Sequence, residues 1–246
     1  FKAHNIGYFF YNGGNDSADT AYKVSQISNK LNYPIKCIAI PKTVDNDLAI
    51  TDSCPGFGSA AKYIATSTLE ASLDVESMSE TSTKVFILEV MGRHAGWMAA
   101  SSALARTSKG DAPHIILLPE VIFNQQKFLS KVKDVVKQKG YCVIVTSEGV
   151  KSAKGKFLAE SNTKDAFGHT QLGGVAPYLA SLITKKLKLK NHWAVSDYLQ
   201  RSARHIASKT DLLHAEAVGV HAIKYAIQGM NGVMPVIVRG KSTKYT

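Results

Sequence analysis

The sequence predicts an α/β protein with mostly parallel sheets covered by helices, and three observations lead there. Short runs of strand composition recur at residues 6–11, 35–40, 84–90, 114–118 and 141–146. Longer segments with apolar residues at i, i+3 and i+4 lie between and after them, at 17–31, 59–74, 96–107, 125–139, 175–187 and 211–228. Strand runs separated by helices of this length form βαβ units, whose strands run parallel and are buried on both faces. The third observation is size. A chain of 246 residues spans one to two domains, and the element count fits two α/β lobes better than one. The active site is expected in the cleft between those lobes.

Composition removes several classes. With 45% hydrophobic and 20% charged residues, 18 Gly and 7 Pro, the chain is neither disordered, collagenous nor a coiled coil. Its longest nearly apolar stretch, 115–123, is interrupted by Pro119 and Glu120 and falls well short of the ~20 residues that span a bilayer. No membrane partner is expected. The opening FKAHNIGYFF lacks the long apolar core and cleavage site of a signal peptide. Cys37, Cys54 and Cys142 lie far apart, without a CxxC or a histidine at ligand spacing, and read as reduced thiols of a cytoplasmic protein. The net charge of +11 suits nucleic acid, an acidic surface or phosphorylated small molecules. Its one dense run, KKLKLK at 185–190, reads as a solvated helix face, so nucleic acid is not expected as a partner.

In open parallel sheets ligands bind at the carboxyl ends of the strands, so chemistry is expected in the loops that follow strands. After the first strand comes NGGNDS (12–17), running straight into a helix. Two glycines permit a tight turn, and the helix start offers free N–H groups at its positive end, a combination that holds phosphate. Alone it reads equally as a plain turn capped by Asp16 or Ser17. The Walker pattern is absent, which excludes a P-loop NTPase. After the second strand, PKTVDND (41–47) sets two carboxylates at i and i+2 beside Lys42 and Thr43. Asp45 could accept a hydroxyl proton, Asp47 could hold hydrated Mg²⁺, and Lys42 could meet a phosphate; a solvated acidic turn is the alternative. MGRHAGW (91–97) follows the third strand, with Gly92 allowing close approach and Arg93 offering a fork of donors. Glu120 follows the fourth strand, placed to accept sugar hydroxyls, and SEG (147–149) after the fifth is given no role. GFGSAA (56–61) matches a dinucleotide fingerprint but lacks the strand that must precede it, so it reads as a helix start.

GGNDS, PKTVDND and MGRHAGW, in this order and spacing, resemble the 6-phosphofructokinases. FGHTQLGG (167–174) and YLQRSARHIASKTD (198–211) look like the same family, in its pyrophosphate-using bacterial branch. The resemblance implies a phosphofructokinase-like fold and phosphoryl transfer from pyrophosphate to the C1 hydroxyl of fructose 6-phosphate, reversibly, with Mg²⁺ as cofactor and a homodimer as the assembly. By motif position it makes Asp45 the general base, with Thr43 and Val44 as substrate contacts. It makes Met91, Gly92 and Arg93 the sugar-phosphate loop, with Arg93 also stabilising the transferred group. Glu120 becomes the sugar-binding carboxylate, and Tyr198, Leu199, Gln200 and Arg201 hold the 6-phosphate. Gly14, Ser17 and Lys42 contact the donor phosphates, and Asn15 and Asp47 hold the metal, Asn15 standing where ATP enzymes have aspartate.

The donor follows from two positions. ATP-using relatives carry GGDGS and PGTIDND, so Asp16 and Lys42 each replace a glycine. A carboxylate at Asp16 occupies and repels the place of an ATP α-phosphate, and Lys42 offsets the concentrated charge of pyrophosphate. Family chains open with a further strand and phosphate loop before GGNDS, so the resemblance implies an N-terminally truncated chain. It also implies discontinuous lobes: 1–57 plus 171–229 for the donor and metal, and 58–170 plus 230–246 for fructose 6-phosphate. The chain should cross between lobes near 55–58 and return near 168–174. The readings weighed against this one are an ATP-dependent 6-phosphofructokinase, an inactive phosphofructokinase-like subunit, and a basic nucleic-acid-binding module.

Overall fold

A computed structural model describes residues 1–33, 35–164 and 170–241. In chain order the strands and α-helices are β1 (Tyr8–Gly13), α1 (Asn15–Lys30), β2 (Lys36–Pro41), α2 (Phe57–Met78), β3 (Val85–Val90), α3 (Trp97–Ser101) and β4 (Ile115–Leu117). They continue with α4 (Gln125–Lys139), β5 (Cys142–Ser147), β6 (Glu160–Lys164), β7 (Thr170–Leu172), α5 (Val175–Leu187), β8 (Asn191–Val195), α6 (Leu199–Ser202) and α7 (Lys209–Ile227). The chain divides into two compact units, Phe1–Ser59 with the residues from Ala207 onward, and Ala60–Ile206.

In the first unit β1 and β2 pair in parallel, from Tyr8 opposite Lys36 to Gly13 opposite Pro41, as a βαβ unit requires. The face of α1 that is buried carries small residues, Ala21, Ser25 and Ser28, which let the helix backbone come close. Ile38 of β2 packs against Ala222 and Ala226 of α7, with Ile40, Tyr225 and Val233 around them. The segment after α7 stays in this unit: Val233 forms a parallel bridge with Ile38, and Ile237 N–H donates to the Thr51 hydroxyl at 3.1 Å.

The second unit holds a four-stranded, all-parallel sheet in the order β4-β5-β3-β8. Successive residues of a strand face opposite sides, and both sides are covered here. Val85, Ile87, Cys142 and Ile144 meet Phe128, Val132 and Val135 of α4 and Leu179 and Ile183 of α5. On the other face, Val143 and Tyr141 meet Val75 of α2 and Ala112. The boundaries of α4 follow from its sequence: the Asn124 side chain accepts the Lys127 N–H at the start, and Gly140 ends the helix in the left-handed region at φ 86. All three cysteines are buried and free. None of the described helices is long and apolar enough to cross a membrane.

Three features depart from the sequence reading. The helix expected over 96–107 stops at Ser101 and tightens into a 3-10 turn at Ser102–Ala105; the hydroxyls of Ser101 and Ser102 bond back to the carbonyls of Met98 and Ala99, competing with the helix ladder. The antiparallel pair β6–β7 and the strand β8 lie outside the sequence's strand runs, and β8 is the clearer case. Its residues are polar or half-exposed, and pairing with β3, more than a hundred residues earlier, is what makes it a strand. The lobe boundaries also differ from the expectation. Residues 171–206, expected with 1–57, group with the second unit, where α5 packs on β3 and β5 and β8 pairs with β3. The segment from 230, expected in the fructose 6-phosphate lobe, groups with the first unit, where Val233 bridges Ile38. The crossing falls in the first turn of α2, near the 55–58 expected, but the return is at Ala207 instead of 168–174. Residues 165–169, including His169 of FGHTQLGG, lie outside the described residues.

Candidate functional site

The parallel register of β1 and β2 brings the first two loops side by side at the carboxyl ends of their strands. Gly13 lies opposite Pro41, and the Lys42 N–H donates to the Gly13 carbonyl at 3.0 Å. Gly13 has no room for a side chain, because a Cβ there would overlap the Ser17 hydroxymethyl group. Gly14 is the N-cap of α1 and supplies no side-chain acceptor, so the amides of the first turn keep their positive end toward the loop. Asp16 and Ser17 sit in that turn. A Cβ on Gly14 would lie 3.7 Å from the Lys42 carbonyl oxygen, which sets the spacing between the two loops.

The expected metal ligands meet across these loops. The Asn15 side-chain amide donates to the Asp47 carboxylate at 2.7 Å, 32 residues apart in the chain. Hard oxygen donors of this kind suit Mg²⁺, which is held by one or two carboxylates and completes its shell with water and substrate phosphate. The pair fits such an ion in donor chemistry.

The loop that carries Asp45 is fixed from beneath. Thr43 is 9% exposed; its hydroxyl accepts the Asp45 N–H at 3.1 Å, and its own N–H donates to the Cys54 sulfur at 3.1 Å. Burial pushes the Cys54 thiol up to about 11, so it stays protonated and serves as an acceptor. Asn46, in the left-handed region at φ 53, accepts the Cys54 N–H through its side chain at 2.7 Å. Thr43 also bridges Gly56 in parallel, beside half-buried Val44. Asp45 therefore stands half-buried at the tip of a braced turn, with Lys42 and Asp47 exposed on either side.

In the second unit the Met91–Gly92–Arg93 loop leaves β3 with Gly92 at φ 138 and Arg93 at φ 45. The Met91 N–H donates to the Gln200 side chain at 3.3 Å, and the Arg93 N–H to the Glu148 carboxylate at 3.2 Å. Gly149 lies directly against the Arg93 backbone; a Cβ there would overlap the Arg93 carbonyl oxygen and sit 2.6 Å from its carbon. Tyr198 and Leu199 are 62% and 64% exposed, and the Arg201 guanidinium lies 4.0 Å from the centre of the Tyr198 ring, a cation–π contact.

Two expected site residues also make contacts within the protein. Glu120, expected to bind sugar hydroxyls, accepts the Gly96 N–H at 2.7 Å and so caps the start of α3, where a carboxylate complements the helix dipole. Gln200, expected among the 6-phosphate contacts, is 1% exposed and spends its amide on Met91 and on the Asp197 carbonyl at 2.8 Å. It shapes the Met91 loop.

Two further carboxylates escaped the sequence reading. Glu148, given no role there, follows β5, the strand paired with β3 so that Val90 lies opposite Ser147; that register places it against Arg93. The available signal was position at the carboxyl end of a neighbouring strand. Glu89 on β3 is 1% exposed and accepts the Gly174 and Ala176 N–H groups at 3.0 and 2.7 Å. Burial raises its pKa while those amides pull it down, and it anchors the start of α5 next to the Met91 loop. Nothing in the strand VFILEV marks that role.

Comparison with known proteins agrees with the motifs. The phosphofructokinase family model matches residues 1–226. The pyrophosphate–fructose 6-phosphate 1-phosphotransferase of Halomonas elongata is 61% identical over 245 residues, covering 100% of this chain and 58% of that protein. The enzyme of the same name from Xanthomonas campestris is 58% identical over 245 residues, covering 99% of this chain and 59% of that protein. The crystal structure of a pyrophosphate-dependent phosphofructokinase from Marinobacter aquaeolei superposes with a TM-score of 0.88 at 58% identity, covering 100% of this chain and 58% of that one. The chain thus spans a little over half the length of these relatives. With the loops after β1, β2 and β3 carrying the family's motifs and its model matching nearly end to end, the chain belongs to the phosphofructokinase family.

Proposed function

We propose that the protein transfers a phosphoryl group from pyrophosphate to the C1 hydroxyl of fructose 6-phosphate, reversibly, in the cytoplasm. The observation that carries this reading is the side-by-side placement of the α1 N-terminus, bearing Asp16, and the Lys42–Asp47 loop, joined by the Asn15–Asp47 hydrogen bond. Three buried, free thiols suit a reducing compartment.

Each residue has a chemical part. The first-turn amides of α1, at Gly14 to Ser17, and the Lys42 ammonium receive the donor phosphates. Asp47 and Asn15 would hold Mg²⁺, which would supply charge neutralisation on the transferred group. Asp45 accepts the proton that the C1 hydroxyl loses as it attacks phosphorus and the oxygen bridging to the leaving phosphate departs. In the second unit Arg93, Tyr198 and Arg201 receive the sugar phosphate. Glu120, exposed after β4 and with one carboxylate oxygen on the Gly96 N–H, is the acceptor offered to sugar hydroxyls, while Glu148 braces the Arg93 loop through the Arg93 N–H.

Donor choice rests on Asp16 and Lys42. Asp16 lies in the helix turn where a third phosphate would pass, and two anions in that space repel. In the intact protein, Asp16→Gly should let ATP bind and turn over measurably. Adding Lys42→Gly should weaken pyrophosphate use by about 30- to 1000-fold in kcat/KM, the loss of a charge contact made in the transition state. Steady-state assays with each donor check both; an Asp16→Gly protein still blind to ATP would refute the exclusion argument.

A further inference from the structure

Beneath the Asp45 loop lies a buried carboxylate, the last residue of the 198–211 motif, to which the motif reading gives no role. Asp211 is 6% exposed and sits in the first turn of α7. A carboxylate there ordinarily serves its own helix, but that start is already capped by the Ser208 hydroxyl, which accepts the Asp211 N–H. Both carboxylate oxygens turn instead to the segment that leads into α2. One accepts the Gly56 N–H at 2.9 Å. The other accepts the Ser59 N–H at 3.1 Å and the Ser59 hydroxyl at 2.6 Å, and the Ser59 oxygen in turn accepts the Ser208 N–H at 3.1 Å.

The arrangement is tight. Gly56 holds φ 107, a conformation that side chains rarely adopt. A Cβ on Gly58 would lie 3.2 Å from the Asp211 Cβ. Two glycines therefore bring backbone amides onto one carboxylate, and hydrogen bonds to an ionised acceptor are stronger than neutral ones.

What this segment supports is the turn that carries Asp45. Gly56 bridges Thr43, Cys54 takes the Thr43 N–H on its sulfur and gives its own N–H to Asn46, and the Thr43 hydroxyl takes the Asp45 N–H. Asp211 thus reaches Asp45 through Gly56 and Thr43 without a contact to the reacting atoms assigned above. We propose that Asp211 is a positioning residue that fixes the Asp45 loop, so that the carboxylate meets its proton at the right place. The inference rests on the reading of Asp45 as general base.

A merely structural anchor and a positioning residue differ in how they combine with Asp45. If Asp211 acts through that carboxylate, its loss matters little once the carboxylate is gone, whereas independent effects multiply. Four intact proteins are compared: wild type, Asp211→Asn, Asp45→Asn and the double variant, with Ser59→Ala in both Asp45 backgrounds as a milder cut in the same ring. Turnover is measured per folded molecule, with thermal unfolding as the control for stability. Asp211→Asn should lower kcat by about 10- to 100-fold, the scale of a misplacement near 1 Å, and leave the KM for fructose 6-phosphate within about twofold, because a change confined to kcat marks an interaction made in the transition state. Ser59→Ala should give a smaller loss of the same kind. In the Asp45→Asn background each should cost less than about twofold. Equal factors in both backgrounds would overturn the proposal alone. Wild-type turnover by Asp45→Asn itself would overturn the assignment of the base, and this inference with it.

Discussion

Replacing Asp45 by Asn in the intact protein should leave fructose 6-phosphate binding in place and lower turnover by roughly 10²–10⁴-fold, the ordinary contribution of a positioned general base. The geometry argues for a chemical loss instead of a folding loss. Asp45 is half-buried, and the turn that presents it is held by Thr43, Asn46 and Cys54. An amide of the same shape keeps those bonds, because the Asp45 contribution to them is its backbone N–H. What it removes is the proton acceptor. Phosphoryl transfer asks little covalent help of a protein, but an alcohol that attacks while still protonated is a poor nucleophile. Steady-state kinetics with both substrates decide the matter. An Asn variant with turnover near wild type would show that the proton leaves by another route.

The second large effect is expected from a residue with no functional group. Gly149→Ala places a methyl where the Arg93 carbonyl now lies. Both partners are backbone, so neither can rotate away as a side chain would. Arg93 already sits at φ 45, and its N–H is tied to Glu148, leaving the loop little freedom to absorb a shift. Overpacking of this kind costs about 1–3 kcal/mol in stability. Its greater effect falls on the Arg93 loop, proposed above to receive the sugar phosphate, because the Arg93 backbone and its tether to Glu148 are displaced together. kcat/KM for fructose 6-phosphate should fall by about 10²-fold or more, mainly through KM. Gly219→Ala is the matched control. Gly219 lies inside α7 with nothing within 4 Å of an added Cβ, so alanine there should raise stability by about 0.5–1 kcal/mol and leave kinetics alone. Similar behaviour of the two variants would contradict the backbone-contact argument.

These two sites show which parts of the molecule the sequence made legible. The alternation of apolar strands with 3.6-period helices was enough for the parallel sheets, since each signal is local to a segment. Loops such as NGGNDS and PKTVDND were legible for the same reason: each follows a strand that the pattern locates, and β1–β2 pairing then brings Asn15 to Asp47. Contacts that depend on distant pairing were not. The strand β8 has little strand character of its own and exists by pairing with β3. Gln200 and Met91 are 109 residues apart, and Asp211 and Gly56 are 155 apart. The backbone contacts of Glu120 and Glu148 have the same origin. Both follow strands, but only the register of β5 against β3 shows that Glu148 faces Arg93, while Glu120 accepts the Gly96 N–H. The grouping of residues 171–206 with the second unit was illegible likewise, because it depends on α5 packing on β3 and β5 and on β8 pairing with β3, contacts between distant segments.

The most direct test of pyrophosphate as donor is formation of fructose 1,6-bisphosphate by the intact wild-type protein, from fructose 6-phosphate and either pyrophosphate or ATP, at equal Mg²⁺. With Asp16 and Lys42 in place, pyrophosphate should support turnover and ATP should not. The reverse reaction from fructose 1,6-bisphosphate and phosphate should be measurable in the same preparation, because transfer between pyrophosphate and a sugar phosphate is nearly balanced in free energy. ATP proving the better donor would contradict the account.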